Sequence, residues 1–481
     1  MKLTTNSANY TYYADVELTA EMFDEDGQIN FQISGYADAV GNVGEVLDAS
    51  DIKGYEDYSG VTLDTTKPLM TINGESNITL EAGDDYDELG VTVEDAVDGT
   101  KVLEPVRINY SIDGKFQGTV PAVDPTKPGT YKVVYEYTDA AGNVGVDANR
   151  ADHDYVIRTV TVLPEGTTSL VNGVSYETLS DAVDAAKVNG GTVELVADVV
   201  NSSSIRIANN EEVTVDLNGN DISFASDQYF AVSGGTLTLT GEGTVKEGDP
   251  YYGPIFIDRE IMQGSPLTIN VDEGVTLEGY SGIFVDYGKA YSAMNTTINL
   301  KGNINAVRDR DGYVGYAIYV QGKIKNTNNY PVINIYEGSE INSVGMGIYA
   351  AGYAEWNIYG GIINAKETAI GIKSGKLNIT GGTFTADGVN NIPTPAWGNG
   401  MIGSGSALQI ESNDGYAQGM EINISGGEFI SENAAAIYEY PDDATTSVIA
   451  FTITGGTFKS TNYSSNFVFS QSFTTTHQGF M

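Results

Sequence analysis

One short phrase recurs through the second half of the chain and narrows what it can fold into. It reads Asn378-Ile379-Thr380-Gly381-Gly382-Thr383-Phe384, and returns as Asn423-Ile424-Ser425-Gly426-Gly427-Glu428-Phe429 and Thr452-Ile453-Thr454-Gly455-Gly456-Thr457-Phe458. Looser copies precede it, in Asn357-Ile358-Tyr359-Gly360-Gly361, Asn334-Ile335-Tyr336-Glu337-Gly338, Asn299-Leu300-Lys301-Gly302, Asn270-Val271-Asp272-Glu273-Gly274 and Thr238-Leu239-Thr240-Gly241. The central apolar residues fall at 239, 271, 300, 335, 358, 379, 424 and 453, in steps of 32, 29, 35, 23, 21, 45 and 29 residues. A step with a floor near two dozen residues that stretches freely is the mark of a coil of constant cross-section with variable loops.

The residues within each copy make that coil a parallel β-helix. Apolar and polar residues alternate with period two, the strands are rich in Ile, Val, Thr, Tyr and Phe, and helical periodicity is absent from the copies. Paired glycines let the backbone turn a corner at positive φ. Stacked coils then bury Ile and Phe columns that no single coil can bury.

A second row runs beside the first: Ile255-Phe256-Ile257-Asp258, Ile283-Phe284-Val285-Asp286, Ile318-Tyr319-Val320-Gln321 and Ile348-Tyr349-Ala350-Ala351, continuing through Ile370-Gly371-Ile372-Lys373, Leu408-Gln409-Ile410-Glu411 and Ile437-Tyr438-Glu439-Tyr440. With the aliphatic residues inward, Phe256, Phe284, Tyr319, Tyr349 and Tyr438 point out of one sheet. At the strand spacing of about 4.8 Å these rings form an external aromatic strip. Asp258 and Asp286 flank it.

Composition removes whole classes of function. Twenty-four basic residues against 65 acidic ones leave a formal net charge of −41, which argues against nucleic acid and anionic membranes as partners. Without cysteine there is no disulfide, zinc–thiolate site or cysteine nucleophile. No run of eighteen apolar residues offers a membrane span, and the start lacks the apolar core of a signal peptide. The expectation is an extracellular, monomeric segment of a longer secreted polypeptide, associated with the cell surface or cell wall.

Before about residue 165 the pattern changes to short alternating strands, such as Val91-Thr92-Val93 and Tyr131–Tyr137, set between turn clusters at sandwich-like spacing. The phrase Asp139-Ala140-Ala141-Gly142-Asn143 has a partner in Asp38-Ala39-Val40-Gly41-Asn42, and both read as tight turns. Together with Asp64-Thr65-Thr66-Lys67-Pro68, Glu94-Asp95-Ala96-Val97-Asp98-Gly99 and Lys127-Pro128-Gly129-Thr130-Tyr131, these phrases resemble the immunoglobulin-like modules of bacterial cell-surface proteins of Gram-positive type. That resemblance implies a stalk or spacer and brings no catalytic residue.

Between this region and the repeats, Leu179, Ala182, Val183 and Ala186 make one apolar stripe on a short helix, with Thr178 or Ser180 as N-cap. It is placed to close the open end of the coil, whose first turn exposes core and strand edges. The helix, the Gly-Gly-Thr strand after it and the Gly-Gly-Thr-Phe coils resemble right-handed β-helix regions of large surface proteins and, more distantly, the pectate-lyase-like fold. The expected fold is thus all-β: a partial or atypical immunoglobulin-like module over 1–67, a complete one over 68–165, and a right-handed parallel β-helix with an N-terminal capping helix over 166–481.

The residues available for chemistry are few. The only histidines are His153 and His477, so no histidine triad lies within the coil. The Gly-His-Gly of the polygalacturonase-type β-helix hydrolases is missing, and Asp442-Asp443 follows Pro441 in a turn. A polysaccharide lyase on this fold needs a basic residue to take a proton beside a uronate carboxylate, and usually Ca²⁺ held by acidic side chains. Arg308 and Arg310, with Asp258 and Asp286, are the candidates, and Asp258 and Asp286 are the candidate Ca²⁺ ligands of the coil; a solvated charged loop accounts for the same residues.

Sugar binding without chemistry asks less. The strip, the tyrosines near it (Tyr251, Tyr252, Tyr287, Tyr291, Tyr313 and Tyr316) and Trp397 in the longest insertion suit pyranose faces. Rings covered by loops, or stacked on each other for stability, account for them equally. In the front region Asp64, Asp95, Asp98 and Asp139 can share a hard cation or simply form turns. The expected function is a surface adhesin or glycan-binding display module whose partner is a host or environmental glycan or surface protein. A lyase of acidic glycans and a passive spacer are the alternatives.

Overall fold

The computed structural model describes residues 26–28, 32–38, 40–48, 62–247, 252–257, 266–285, 295–307, 309–310, 313–322, 330–389, 405–411, 419–440, 449–468 and 475–477. The chain divides into two compact units, Met1–Glu165 and Gly166–Met481.

In the front unit a sheet of five strands, in the order Lys115–Val120, Arg107–Ile112, Gly129–Tyr135, Val156–Leu163 and Asn77–Glu81, shares a core with a sheet of four: Val146–Asp147, Leu69–Ile72, Val91–Asp95 and Gly99–Leu103. Period-two alternation decides which side chains meet. Val156, Val160 and Val162 of one sheet point at Met70, Val91 and Val93 of the other. Arg158 shares that inward row and is fully buried. It pairs with Glu88 and donates through Nε to the Glu75 carbonyl at 3.0 Å. Tyr131 lies in the same core, and burial pushes its hydroxyl up to about 12.

The two related turns close in the same way. Asp38 accepts from the Asn42 backbone N–H at 2.9 Å and its side-chain amide at 2.7 Å, and Asp139 does the same with Asn143 at 2.7 and 2.9 Å. Each Asp and Asn thus tie the turn ends together, which is why the phrase is legible as sequence.

The second unit is built on three long sheets, to which each coil contributes one strand. The first opens with an antiparallel hairpin, Ser169–Val171 and Val174–Tyr176, and runs in parallel from Thr192–Leu195 onward. Along it Ile333, Trp356, Leu377, Ile422 and Phe451 stand in one buried column. In the second sheet Phe384, Phe429 and Phe458 stack at 4.8 and 5.0 Å between ring centroids. These columns form one continuous apolar core. Burying an aliphatic side chain contributes about 1.5–3 kcal/mol each, and only the stack makes that burial available.

On the outer face of the first sheet, the asparagine of each copy donates through Nδ2 to its neighbour one coil back. Asn270 reaches the Thr238 hydroxyl, then Asn299, Asn334, Asn357, Asn378 and Asn423 each bond the preceding Asn Oδ1 at 2.9–3.1 Å. The glycine pairs are needed for space as much as for φ. A Cβ on Gly426 would stand 2.2 Å from the Thr380 carbonyl oxygen, while Gly427 sits at φ +94.

The helix Leu179–Asn189 packs Leu179, Ala182, Val183 and Ala186 into the core at the start of the coil. Thr178 is its N-cap, accepting from the Asp181 N–H at 3.2 Å, and Gly190 at φ +69 ends it. Among the described residues no helix is long and apolar enough to cross a membrane.

Candidate functional site

The register of the third sheet places Phe256, Phe284, Tyr319 and Tyr349 in one outward column, which continues through Gly371 and Gln409 to Tyr438. The first four rings stack with centroids 5.5, 4.6 and 5.3 Å apart. Tyr229 and Tyr252 pack against Phe256, and Tyr316 against both Tyr319 and Tyr349. Phe256, Tyr349 and Tyr438 keep only 3, 4 and 6 % of their surface, and Phe284 and Tyr319 are half-buried. The solvent-facing strip expected from the sequence is therefore corrected: most of the column is a covered second layer. The physical reason is ring size, since rings stacked at strand spacing shield each other and invite further rings. Burial likewise pushes the Tyr316 hydroxyl up to about 12.

The column turns polar where Gly371 replaces a ring. Gln409 is fully buried and accepts from the Thr368 hydroxyl at 3.3 Å. Lys373 and Glu411, on adjacent coils, form an ion pair at 3.0 Å with side chains 0 and 9 % exposed. Both residues close phrases of the repeat, so the signal that could have found them was a charge at the same position in successive copies.

Asp258, Asp286, Arg308 and Trp397 lie outside the described residues, as do Tyr251, Tyr287, Tyr291, Asp442 and Asp443. Arg310 lies in the two-residue strand Asp309–Arg310, paired with Tyr313–Val314.

Among the described residues of the second unit, an exposed aromatic surface lies at another corner. The residues after the inward aliphatics of the first sheet, Lys301, Tyr336, Tyr359, Thr380, Ser425 and Thr454, form a row in which each backbone N–H donates to the carbonyl of the inward aliphatic one coil back. Tyr336 and Tyr359 stack at 5.3 Å and 28°, and Tyr359 is 49 % exposed. Gly360 and Gly381 keep the adjoining corner flat, because a Cβ on either would meet backbone atoms at 2.9 or 2.6 Å. Both tyrosines stand in the repeat copies themselves.

In the front unit, carboxylate oxygens of Asp64, Asp95 and Asp139 lie within 4.8 Å of one another. Asp64 Oδ1 and Asp95 Oδ2 are buried without a hydrogen-bond partner. Desolvation, then the charges of Asp95 and Asp139, raise the Asp64 pKa. Burial also pushes Asp139 upward, but the Asn143 hydrogen bonds outweigh it and leave this carboxyl below its ordinary value. Three hard oxygens at this spacing would supply part of the six to eight that Ca²⁺ takes. Asp98 instead accepts from the Tyr137 hydroxyl at 3.0 Å.

Residues 70–162 match the family model described as "Bacterial surface protein, Ig-like domain". No curated protein and no solved structure matches the chain. The family match covers one module of the front unit, and what it suggests for the chain is a surface location.

Proposed function

We propose that this surface protein is a glycan-binding adhesin, with the Tyr336–Tyr359 corner of its β-helix as the contact surface. The observation that carries the reading is this stacked pair, one ring half-exposed, beside a flat glycine-lined corner and in line with the hydroxyls of Thr380, Ser425 and Thr454. Tyrosine faces pack against the C–H face of a pyranose while hydroxyls serve its rim. The column of Phe256, Phe284, Tyr319, Tyr349 and Tyr438 supports the coil behind it. The excess of acidic residues disfavours polyuronates and other anionic chains as partners.

The test is retention of the full chain on a panel of immobilised polysaccharides, by affinity electrophoresis. Wild-type protein is retarded by at least one neutral polysaccharide. Tyr336→Ala with Tyr359→Ala abolishes the retardation, since each ring contributes about 1 kcal/mol. Retardation that survives the double substitution would sink the reading, as would absence of retardation throughout the panel.

A further inference from the structure

The second sheet carries a groove that neither the aromatic column nor the tyrosine corner uses. It crosses four successive strands, Asn303–Ala306, Glu340–Ser343, Ile362–Ala365 and Thr383–Val389, and encloses about 340 Å³. The register explains its shape. Asn305, Asn342, Asn364 and Thr385 form one outward row, and the next outward row is Val307, Val344, Lys366 and Asp387. The residues between them, Ala306, Ser343 and Ala365, are buried and turn inward, so the floor between the two rows is mostly backbone.

The two walls differ chemically. Val307 and Val344 are exposed apolar side chains, 49 and 36 % open. Opposite them Asn364 donates to Asn342 Oδ1 at 3.1 Å, and Asn342 in turn to Asn305 Oδ1 at 3.4 Å. This amide ladder stops at Asn364 because the next coil places Thr385 there. The Asn364 Oδ1 accepts no hydrogen bond among the described residues and is left to face the groove beside the Lys366–Asp387 ion pair.

We infer that this groove is a subsite for a neutral, extended glycan, apolar ring faces against Val307 and Val344 and hydroxyls against Asn364, Lys366 and Asp387. The inference rests on the glycan-binding reading above and names the ligand class. Size agrees, since small-ligand sites begin at about 300 Å³. Pitch agrees, because coils about 4.8 Å apart repeat at nearly the length of one pyranose in an extended chain. Charge favours neutrality: among the described lining residues the one cation, Lys366, is matched by Asp387, and the chain as a whole carries −41.

The experiment is titration calorimetry of the full chain with cellotetraose, mannotetraose and xylotetraose, and with tetragalacturonate as the anionic comparison. At least one neutral tetraose binds, and Asn364→Ala and Lys366→Ala each weaken it about tenfold with Tm unchanged. Tetragalacturonate gives no heat. Silence of all three neutral tetraoses, equal or tighter binding of tetragalacturonate, or unchanged affinity in both variants overturns the inference. If the polysaccharide retardation and its loss in the tyrosine variants persist in those cases, the groove fails alone; if no polysaccharide is retained either, the glycan reading fails with it.

Discussion

Lys373 Nζ lies 3.0 Å from Glu411 Oε1, outside the apolar core and yet shut off from water, with the lysine side chain fully buried. Charges so placed depend strongly on their partner, because removing one raises the cost of keeping the other out of water. Lys373→Met is expected to cost about 3–5 kcal/mol in chemical denaturation of the second unit, and Lys373→Met with Glu411→Leu to recover most of it. A double variant as unstable as the single one would show that the pair is not the relevant unit.

The repeat glycines separate two kinds of constraint. Gly338 sits at φ +92 with open space around a Cβ, so Gly338→Ala meets only backbone strain, about 1 kcal/mol. Gly426 is free of positive φ, but its Cβ would collide with the Thr380 carbonyl at 2.2 Å. Gly426→Ala is therefore expected to cost more, about 3 kcal/mol or above. Denaturation midpoints in the reverse order would refute close stacking of the corners.

Acid should expose the Asp221–Lys246 pair. Burial raises the Asp221 pKa, but the Lys246 ammonium at 2.6 Å and the Thr244 N–H at 2.8 Å lower it more, so the folded value lies below the ordinary 3.8. A depressed carboxylate contributes stability above its unfolded pKa and loses it as pH falls through the folded one. Asp221→Asn is expected to cost about 1 kcal/mol at pH 7 after solvent screening, with the deficit closing below pH 3.8. A deficit independent of pH would assign the effect to shape.

Asp64 works with the opposite sign. Its raised pKa means that ionisation opposes folding: the group stabilises below 3.8 and that contribution is lost as pH rises through its folded value. In chelator at pH 7, Asp64→Asn is expected to raise the melting midpoint of the front unit, with no advantage at acid pH. Added Ca²⁺ is expected to stabilise the wild type more than the variant, because the variant has lost one of three carboxylates. Calorimetric scans with and without Ca²⁺ check both; a variant less stable in chelator would contradict the repulsion.

Much was determined by the sequence alone. Spacing of the repeat copies and period-two alternation dictated a stacked parallel coil, because only that arrangement buries Ile333, Leu377 and Ile422 in one column. The stripe Leu179, Ala182, Val183 and Ala186 was enough to place a helix, and the paired Asp and Asn of 38–42 and 139–143 were enough to place two turns. Each of these signals is local, or repeats at a fixed offset, and so survives in one dimension.

Exposure did not survive. Alternation shows which face Phe256 and Tyr349 point from, but not that Tyr252 and Tyr316 pack over them, since that depends on rings brought together across coils. The same holds for Tyr336 beside Tyr359, Lys373 beside Glu411 and Arg158 against Glu88, pairs 23, 38 and 70 residues apart. A repeat records what every coil shares; which coil loses a ring, keeps an ion pair or opens a groove is decided only when neighbouring coils compete for the same surface.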